Sequence, residues 1–259
     1  MKRLALVPLV LLTGCHDFEG DRGVLGFSTN LVAPGAPGGW DPELGVAAGT
    51  TAVFAATRRL GLSHEEDSEL GELAVSARVS GLDEVWSEGP EVAVTGDPGD
   101  DGVLRFRGER RDHFSVAFAE VARLEIAEPL LHLDPMLVKP DELLMLEGAE
   151  VTLAVAAYDA AGQPLGYAAS DLVVTGAQPT DGGLKVQADR DGVVTVDLWG
   201  VRAELPVYVL QPEELSATMR IEIPLEVEGD ELLLVREVGA DRHGEPVVLP
   251  GGGMWLEEL

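Results

Sequence analysis

Apolar and polar residues alternate in short runs along most of this chain. Phe114, Val116 and Phe118 are separated by small or polar residues, and a period of two places such a trio on one face of a β-strand. Glycine, aspartate and proline interrupt the runs about every eight to twelve residues, a spacing typical of turns in β-sandwiches. Helical periodicity is missing apart from one short stretch at 60–73. The pattern therefore predicts an all-β fold.

The chain also contains an internal repeat. Residues 92–118 align without a gap on residues 172–198, with eight identities in 27 positions, against about two expected from ordinary residue usage. The start of each repeat matches at a different offset, because the segment at Gly49 aligns on Gly148, 99 residues away instead of 80. We therefore expect the first repeat to hold about 19 additional residues between 58 and 80.

A third repeat begins but has no counterpart of the later strands. Residues 228–234 align on residues 147–153. Half of a sandwich would expose an apolar sheet face to water, which costs about 25 cal/mol for each Å². We therefore expect residues 213–259 to pack on a neighbouring domain, to pair with the N-terminal strand near Phe27, or to await a partner.

Glycine and aspartate stand at fixed distances from the strands of the second repeat. The positions are Gly148 with Leu153, Asp159 with Gly162, Leu172 to Val174, and Gly192 with Val196. This arrangement resembles a bacterial immunoglobulin-like domain of the group 2 type, and residues 46–128 resemble it less closely. The resemblance implies tandem immunoglobulin-like β-sandwiches with a C-terminal incomplete repeat. It also implies spacing, adhesion or binding modules of cell envelopes, mostly without catalysis.

The first fifteen residues carry a separate signal. Lys2 and Arg3 precede an apolar run that is too short to span a bilayer as a helix, and Leu12-Thr13-Gly14-Cys15 follows. This segment resembles the lipobox of bacterial lipoprotein signal peptides, in which the cysteine becomes the mature N-terminus and carries a lipid. The resemblance implies a covalent lipid on Cys15, the one cysteine of the chain, and a membrane anchor. In that family an aspartate after the cysteine retains the protein in the inner membrane, so His16 favours the outer membrane of the cell envelope.

These features divide the chain into five expected segments. They are a signal peptide (1–14), a Gly/Pro-rich tether (15–45), an immunoglobulin-like domain with an acidic insertion (46–129), a second such domain (130–212) and a partial third repeat (213–259).

Charge limits the partners that the protein can take. The formal net charge is −28, from 46 acidic and 18 basic residues, and such a chain repels phosphate backbones. We therefore expect no nucleic acid partner. The expected partners are the membrane, through the lipid, and an envelope protein or a glycan.

Two acidic segments are candidate sites. Asp97, Asp100 and Asp101 are candidate calcium ligands, but Gly99 and Gly108 occupy positions where an EF-hand loop needs oxygen ligands. A hairpin turn is therefore the favoured interpretation. The second segment is the acidic string of the first repeat, which we expect to be a solvated loop and the first place to look for binding specificity; its residues are Glu65, Glu66, Asp67 and Glu69.

The sequence holds no motif that predicts catalysis. It contains no HExxH metal motif, no GxSxG nucleophile elbow and no glycine-rich loop that opens a helix. We therefore expect no enzyme and no cofactor beyond the lipid and a candidate calcium ion. The predicted function is a non-catalytic structural or binding module. The alternatives are a calcium-dependent adhesin or carbohydrate-binding module, and an accessory subunit of an envelope complex that is completed by strand addition.

Overall fold

A computed structural model describes most of the chain between residues 18 and 258. The described residues are 18–19, 26–34, 40–57, 76–108, 111–129, 137–138, 141–180, 183–227, 230–251 and 254–258. Their regular structure consists of β-strands and three short 3-10 turns, Pro42–Leu44, Ala169–Asp171 and Pro212–Glu214. The all-β prediction is confirmed. Over the same residues, no helix has the length and apolarity needed to cross a bilayer.

The first sandwich is built from two facing sheets. Strands β1, β2, β5, β8 and β7 form one sheet in the order β1-β2-β5-β8-β7, and the other sheet has the order β4-β10-β9-β6. The strands are β1 (Phe18–Glu19), β2 (Gly26–Thr29), β3 (Leu31–Val32), β4 (Val46–Ala47), β5 (Ala52–Thr57), β6 (Ser76–Ser80), β7 (Asp83–Glu88), β8 (Glu91–Thr95), β9 (Asp101–Arg107) and β10 (Arg111–Ala119).

Aromatic side chains fill the space between these two sheets. Phe27, Phe54, Phe106 and Phe114 are fully buried, and their contacting ring pairs have centroids 4.7 to 5.9 Å apart. Phe27 comes from the segment expected to form a tether. Its strand β2 pairs with β1 and β5 and so belongs to the sandwich.

The second sandwich has the strand order of an immunoglobulin-like domain. One sheet runs β12-β11-β14-β19-β18, with β15 also paired to β14, and the other contains β17-β20-β21-β13. The strands are β11 (Arg123–Pro129), β12 (Leu137–Val138), β13 (Leu143–Leu146), β14 (Glu150–Tyr158), β15 (Pro164–Leu165), β16 (Tyr167–Ala168), β17 (Val173–Thr175), β18 (Gln178–Thr180), β19 (Gly183–Gln187), β20 (Gly192–Leu198) and β21 (Val201–Leu210).

The C-terminal residues extend one sheet of the second sandwich. They form β22 (Leu215–Val227), β23 (Asp230–Asp241), β24 (Pro246–Val248) and β25 (Met254–Glu258). Strand β24 pairs in parallel with β13, and Val248 lies in the apolar core of the second sandwich. Of the three expectations for this segment, packing on a neighbouring domain is confirmed for β24, and pairing near Phe27 is wrong because β2 lies between β1 and β5.

The first half of each repeat corresponds at the predicted offset of 99 residues. Ala48 donates a backbone hydrogen bond to Ala119 at the end of β10, over 2.8 Å, and Glu147 donates the equivalent bond to Leu210 at the end of β21, over 3.1 Å. Ala48 and Glu147 are 99 residues apart, which confirms the predicted offset for this half.

The predicted offset of 80 for the later half is wrong. Ala52 pairs with Val94, while its equivalent Val151 pairs with Val186, so β8 corresponds to β19 at an offset of 92. Strand β9 therefore corresponds to β20, and β10 to β21. The first repeat holds about seven additional residues here instead of 19. Alternation of period two is the same in every strand, so a gap-free match can fall on the neighbouring strand.

Candidate functional site: the joint between the sandwiches

The aspartates predicted as calcium ligands lie in a turn that is closed by hydrogen bonds within the turn itself. The Asp97 N–H donates to Asp100 Oδ2 over 2.9 Å, and the Asp100 N–H donates to the Asp97 carbonyl over 3.0 Å. Asp101 is the first residue of β9. The segment is a turn as favoured, although it connects strands of opposite sheets and is therefore not a hairpin. Across the described ranges, no three His, Cys, Asp or Glu side chains form a group that could hold a metal ion.

The remaining predicted site residues lie outside the described part of the chain. These are Cys15 and the acidic string with Glu65, Glu66, Asp67 and Glu69. Lipid attachment at Cys15, calcium binding and a role of the acidic string in specificity therefore stay predictions.

The structure brings together a different set of residues, at the contact between the sandwiches. We call this contact the first joint, and it comprises residues 31–32, 40, 45–50, 166–168, 171 and 199. Its backbone part is a small ladder in which Tyr167 pairs with Val32 and Ala168 with Leu31. The Ala47 N–H donates to the Gly166 carbonyl over 2.8 Å, so two strands of the first sandwich are bonded to the second.

Trp40 of the first sandwich packs against this ladder. Its side chain is 1% exposed, and its indole N–H donates to the Gly45 carbonyl over 2.7 Å. The ring also lies against Gly166, where an added Cβ would overlap Trp40 Cδ1. Glycine is therefore required at 166 because the indole occupies the place of a side chain.

Trp199 contacts the first sandwich from the other side of the joint. It forms a two-residue hairpin turn with Gly200, and both residues have positive φ, +52° and +94°. A non-glycine residue in this conformation costs about 1 to 3 kcal/mol. The Trp199 ring covers the turn at Gly49, where an added Cβ would lie 3.1 Å from the ring. The contact across the joint offers a reason for the strained turn.

Polar contacts in the joint are also paired. The hydroxyl of Thr50, which is fully buried, donates to Asp171 Oδ2 over 2.8 Å. The Tyr167 hydroxyl donates to the Val155 carbonyl over 2.6 Å. Burial raises the pKa of Tyr167, so this phenol keeps its proton throughout the physiological pH range.

Apolar side chains continue from one sandwich into the other. Ala47 of the first sandwich belongs to the buried core of the second, and Val32 and Ala119 pack against that core. Shared core and shared ladder together make the joint a mechanical connection. Its residues supply hydrogen bonds and packing.

Sequence reasoning missed the joint almost entirely. Trp40 stands in a Gly/Pro-rich stretch that is typical of a linker, and its partner Gly166 is more than 120 residues away. One local signal existed at Trp199-Gly200, where a tryptophan occupies a turn position that favours Asn, Asp or Gly. That signal identifies an unusual turn but not the surface it contacts.

Comparison with known proteins gives structural likeness alone. No protein-family model matches the chain, and no curated protein matches it. Among solved structures, the chain is similar to domains 4–9 of the surface layer protein SbsC, with a TM-score of 0.33, 10% identity and coverage of 76% of this chain and 32% of that one. It is also similar to domains 1–6 of SbsC, with a TM-score of 0.35, 15% identity and coverage of 78% and 32%. The chain thus spans about a third of the length of these structures.

Proposed function

We propose that this protein is a non-catalytic structural module of the cell envelope that is anchored to the outer membrane by a lipid on Cys15. The observation that carries the structural part is the first joint, which connects two sandwiches through a ladder, a buried tryptophan and a shared core. A module that bears a load or holds a position needs its domains fixed to each other. A flexible linker would leave their relative position undefined.

The membrane part of the proposal is supported by the lipobox-like segment at Leu12–Cys15. Two acyl chains hold a protein on a membrane stably, whereas one chain gives marginal binding. A net charge of −28 keeps such a displayed domain soluble and away from anionic lipid surfaces.

The anchoring test compares the wild type with Cys15→Ser in cells that are fed a radiolabelled fatty acid. We expect label in the wild type and its recovery with outer membranes, and we expect an unlabelled, released Cys15→Ser protein. Thr13→Ser is the control for a changed leader that keeps the cysteine. Equal membrane recovery of wild type and Cys15→Ser would contradict the anchor.

A second candidate function follows from the C-terminal sheet. Strands β22, β23 and β25 form a sheet of a third repeat, and β22 is the end strand of the described sheet order β17-β20-β21-β13-β24-β23-β22. An accessory subunit that is completed by the strands of a partner fits this arrangement. Size-exclusion chromatography of envelope extracts tests it, because such a subunit elutes with a partner and the free module elutes alone.

A further inference from the structure

The outer face of one sheet of the first sandwich is basic, although the chain as a whole is strongly acidic. Buried and exposed positions alternate along β9 and β10, and the exposed ones include Arg105, Arg107 and Arg111. Arg78 is an exposed residue of the neighbouring strand β6. We call these four arginines the arginine face. They stand against a net charge of −28 for the chain, so the face is a local reversal of that charge.

The pairing register brings the four arginines into one patch. Arg78 lies directly opposite Arg105, and Arg107 lies directly opposite Arg111. Directly opposed residues share a face of the sheet, and paired strands are about 4.8 Å apart. Arg105 and Arg107 are two residues apart on one strand, which separates the two pairs by about 7 Å. The pairs are therefore adjacent rows of positive charge.

Acidic residues do not neutralise this face within the described part of the chain. No carboxylate there lies within 4.0 Å of these guanidinium groups, whereas Arg123, Lys185 and Arg202 of the second sandwich each pair with a glutamate over 2.6 to 2.8 Å. The first acid along the same face of β9 is Asp101, four residues and about 13 Å from Arg105. Like charges that are directly opposed destabilise a sheet. A bound anion would therefore relieve a repulsion that is built into this sheet.

The chemistry of the arginine face fits anionic groups that repeat along a polymer. A guanidinium group is always charged in proteins, and its planar fork donates two parallel hydrogen bonds to a carboxylate or a phosphate. Two adjacent rows offer charge at several positions, which favours a repeating polyanion over one small ion. Ser80 and Ser115 are exposed on the same face, and their hydroxyl groups can donate and accept hydrogen bonds with sugar hydroxyls.

Other classes of anionic partner fit this face less well. Protein interfaces are enriched in aromatic residues, and single-stranded nucleic acids stack their bases on them. The exposed aromatic residues of the described surface lie on other elements, at Trp86, Trp199 and Tyr208. Among the described outward positions of β6, β9 and β10, the largest apolar residue is Val103. The face therefore offers charge and hydroxyl groups without an apolar anchor.

The acidity of the chain also separates a polymer strand from a membrane. An anionic membrane is an extended surface, so the negative charge of the whole chain repels it. A single polymer strand contacts the arginine face alone. At about 0.1 M salt, charges farther away than about 10 Å are largely screened, and the local positive charge then dominates.

We propose that the arginine face binds an acidic polysaccharide, a glycan whose sugar units carry carboxylate, phosphate or sulfate groups. The polymer lies across β6, β9 and β10, and its anionic groups pair with Arg78, Arg105, Arg107 and Arg111. This assigns a binding surface in addition to the structural role. It does not depend on the lipid at Cys15.

Titration of polysaccharides into the whole chain tests the proposal. Polygalacturonate and dextran sulfate are the probes, with carboxylate and sulfate groups respectively, and uncharged dextran is the control. Calorimetry measures the dissociation constant at about 50 mM and about 300 mM salt. We expect saturable binding of at least one probe and no binding of dextran. We also expect at least about ten-fold weaker binding at the higher salt concentration, because salt screens the arginines.

Double variants locate the site. Arg78→Gln/Arg105→Gln should weaken binding at least about ten-fold, through loss of two charge-assisted contacts. Arg190→Gln/Arg202→Gln is the matched control, because it removes the same charge from exposed positions of the second sandwich. It should leave the dissociation constant within about two-fold. Thermal unfolding separates binding from a structural role, since removal of opposed like charges should not lower the melting temperature of Arg78→Gln/Arg105→Gln.

Several results would overturn the proposal. They are no binding of either probe, equal weakening by the two double variants, and a fall in melting temperature of Arg78→Gln/Arg105→Gln alongside its weaker binding. Tighter binding of polyglutamate, single-stranded DNA or anionic phospholipid vesicles that is lost in Arg78→Gln/Arg105→Gln would also overturn it. The face would then belong to a protein, a nucleic acid or a membrane. None of these results bears on the fatty-acid labelling of Cys15, so failure here is distinguishable from failure of the anchor.

Discussion

In the first joint, a tryptophan ring packs where a glycine leaves room because it has no side chain. Trp40 fills the position of a Cβ at Gly166, and Trp199 lies over Gly49. Both contacts depend on glycine, and neither glycine is distinguishable in the sequence from the many that occupy ordinary turns. Residues of this kind can be recognised only when the partner across the joint is known.

We predict that Gly166→Ala lowers the free energy of unfolding by about 1 to 3 kcal/mol, the cost of overpacking a rigid contact. The reason is that the new methyl group overlaps a buried indole ring. Gly192→Ala is the control, since its added methyl group meets no described atom within 4 Å and should change stability by less than about 0.5 kcal/mol. Urea unfolding followed by tryptophan fluorescence measures both, and equal effects would contradict the assigned contact.

Because Tyr167 is buried, we expect the free energy of unfolding to depend on pH in the alkaline range. The unfolded tyrosine ionises near pH 10, while burial raises the pKa of Tyr167 in the folded protein. Its contribution to stability is therefore complete below about pH 10 and decreases as the pH rises further. Tyr167→Phe should lower stability by about 1 kcal/mol at pH 8, through loss of one hydrogen bond.

The same substitution should also flatten the alkaline loss of stability by about 1.4 kcal/mol per pH unit above pH 10. Urea unfolding between pH 8 and pH 11.5 gives this slope. Tyr208→Phe, at a side chain that is 43% exposed, is the control. A slope that Tyr167→Phe leaves unchanged would show that Tyr167 ionises equally in both states.

At the scale of elements, the sequence predicts strands well and their neighbours poorly. Alternation of apolar residues identified the strands around Phe114 and Val194, and both are strands of the structure. The alignment nevertheless paired β10 with β20 instead of β21. Hydrogen-bond partners depend on the order of strands in a sheet, and period-two alternation contains no information about that order.

The Asp159 turn offers a test at this scale. Asp159→Ala removes the acceptor of two backbone N–H groups, and we expect stability to fall by about 1 to 3 kcal/mol. Asp159→Asn keeps an oxygen at the same position and should recover most of the loss. Thermal unfolding by circular dichroism distinguishes the two variants. A loss in Asp159→Asn as large as in Asp159→Ala would assign the effect to charge instead.

At the scale of the whole molecule, the joint predicts that the two sandwiches unfold together. Trp40 bonds to Gly45 and packs against Gly166, so its removal weakens the connection as well as the core. We expect one calorimetric transition for the wild type and two for Trp40→Ala, with a loss of about 3 to 5 kcal/mol in the first sandwich. Phe106→Ala, a core change away from the joint, should keep a single transition. Two transitions in the wild type would contradict a rigid joint.

The candidate site could not be predicted from sequence for a related reason. Motif reasoning looks for side chains that carry chemistry, and it selected acidic residues such as Asp100, whose carboxylate accepts a hydrogen bond within its own turn. Apart from the hydrogen bonds of Thr50 and Tyr167, the joint is made of glycine, tryptophan and backbone groups, which have no motif. Repetition in the sequence was the useful signal, because the offset of 99 residues identified the equivalent turns Gly49 and Gly148.

Parallel pairing of β4 with β10 and of β13 with β21 has a consequence for force. In each sandwich an early strand and the last strand therefore lie side by side and point the same way. Tension applied between the two paired strands therefore pulls them past each other and loads all of their hydrogen bonds at once. Bonds loaded in this shear geometry break together and not one after another. Each sandwich therefore resists stretching most strongly along the direction of these paired strands.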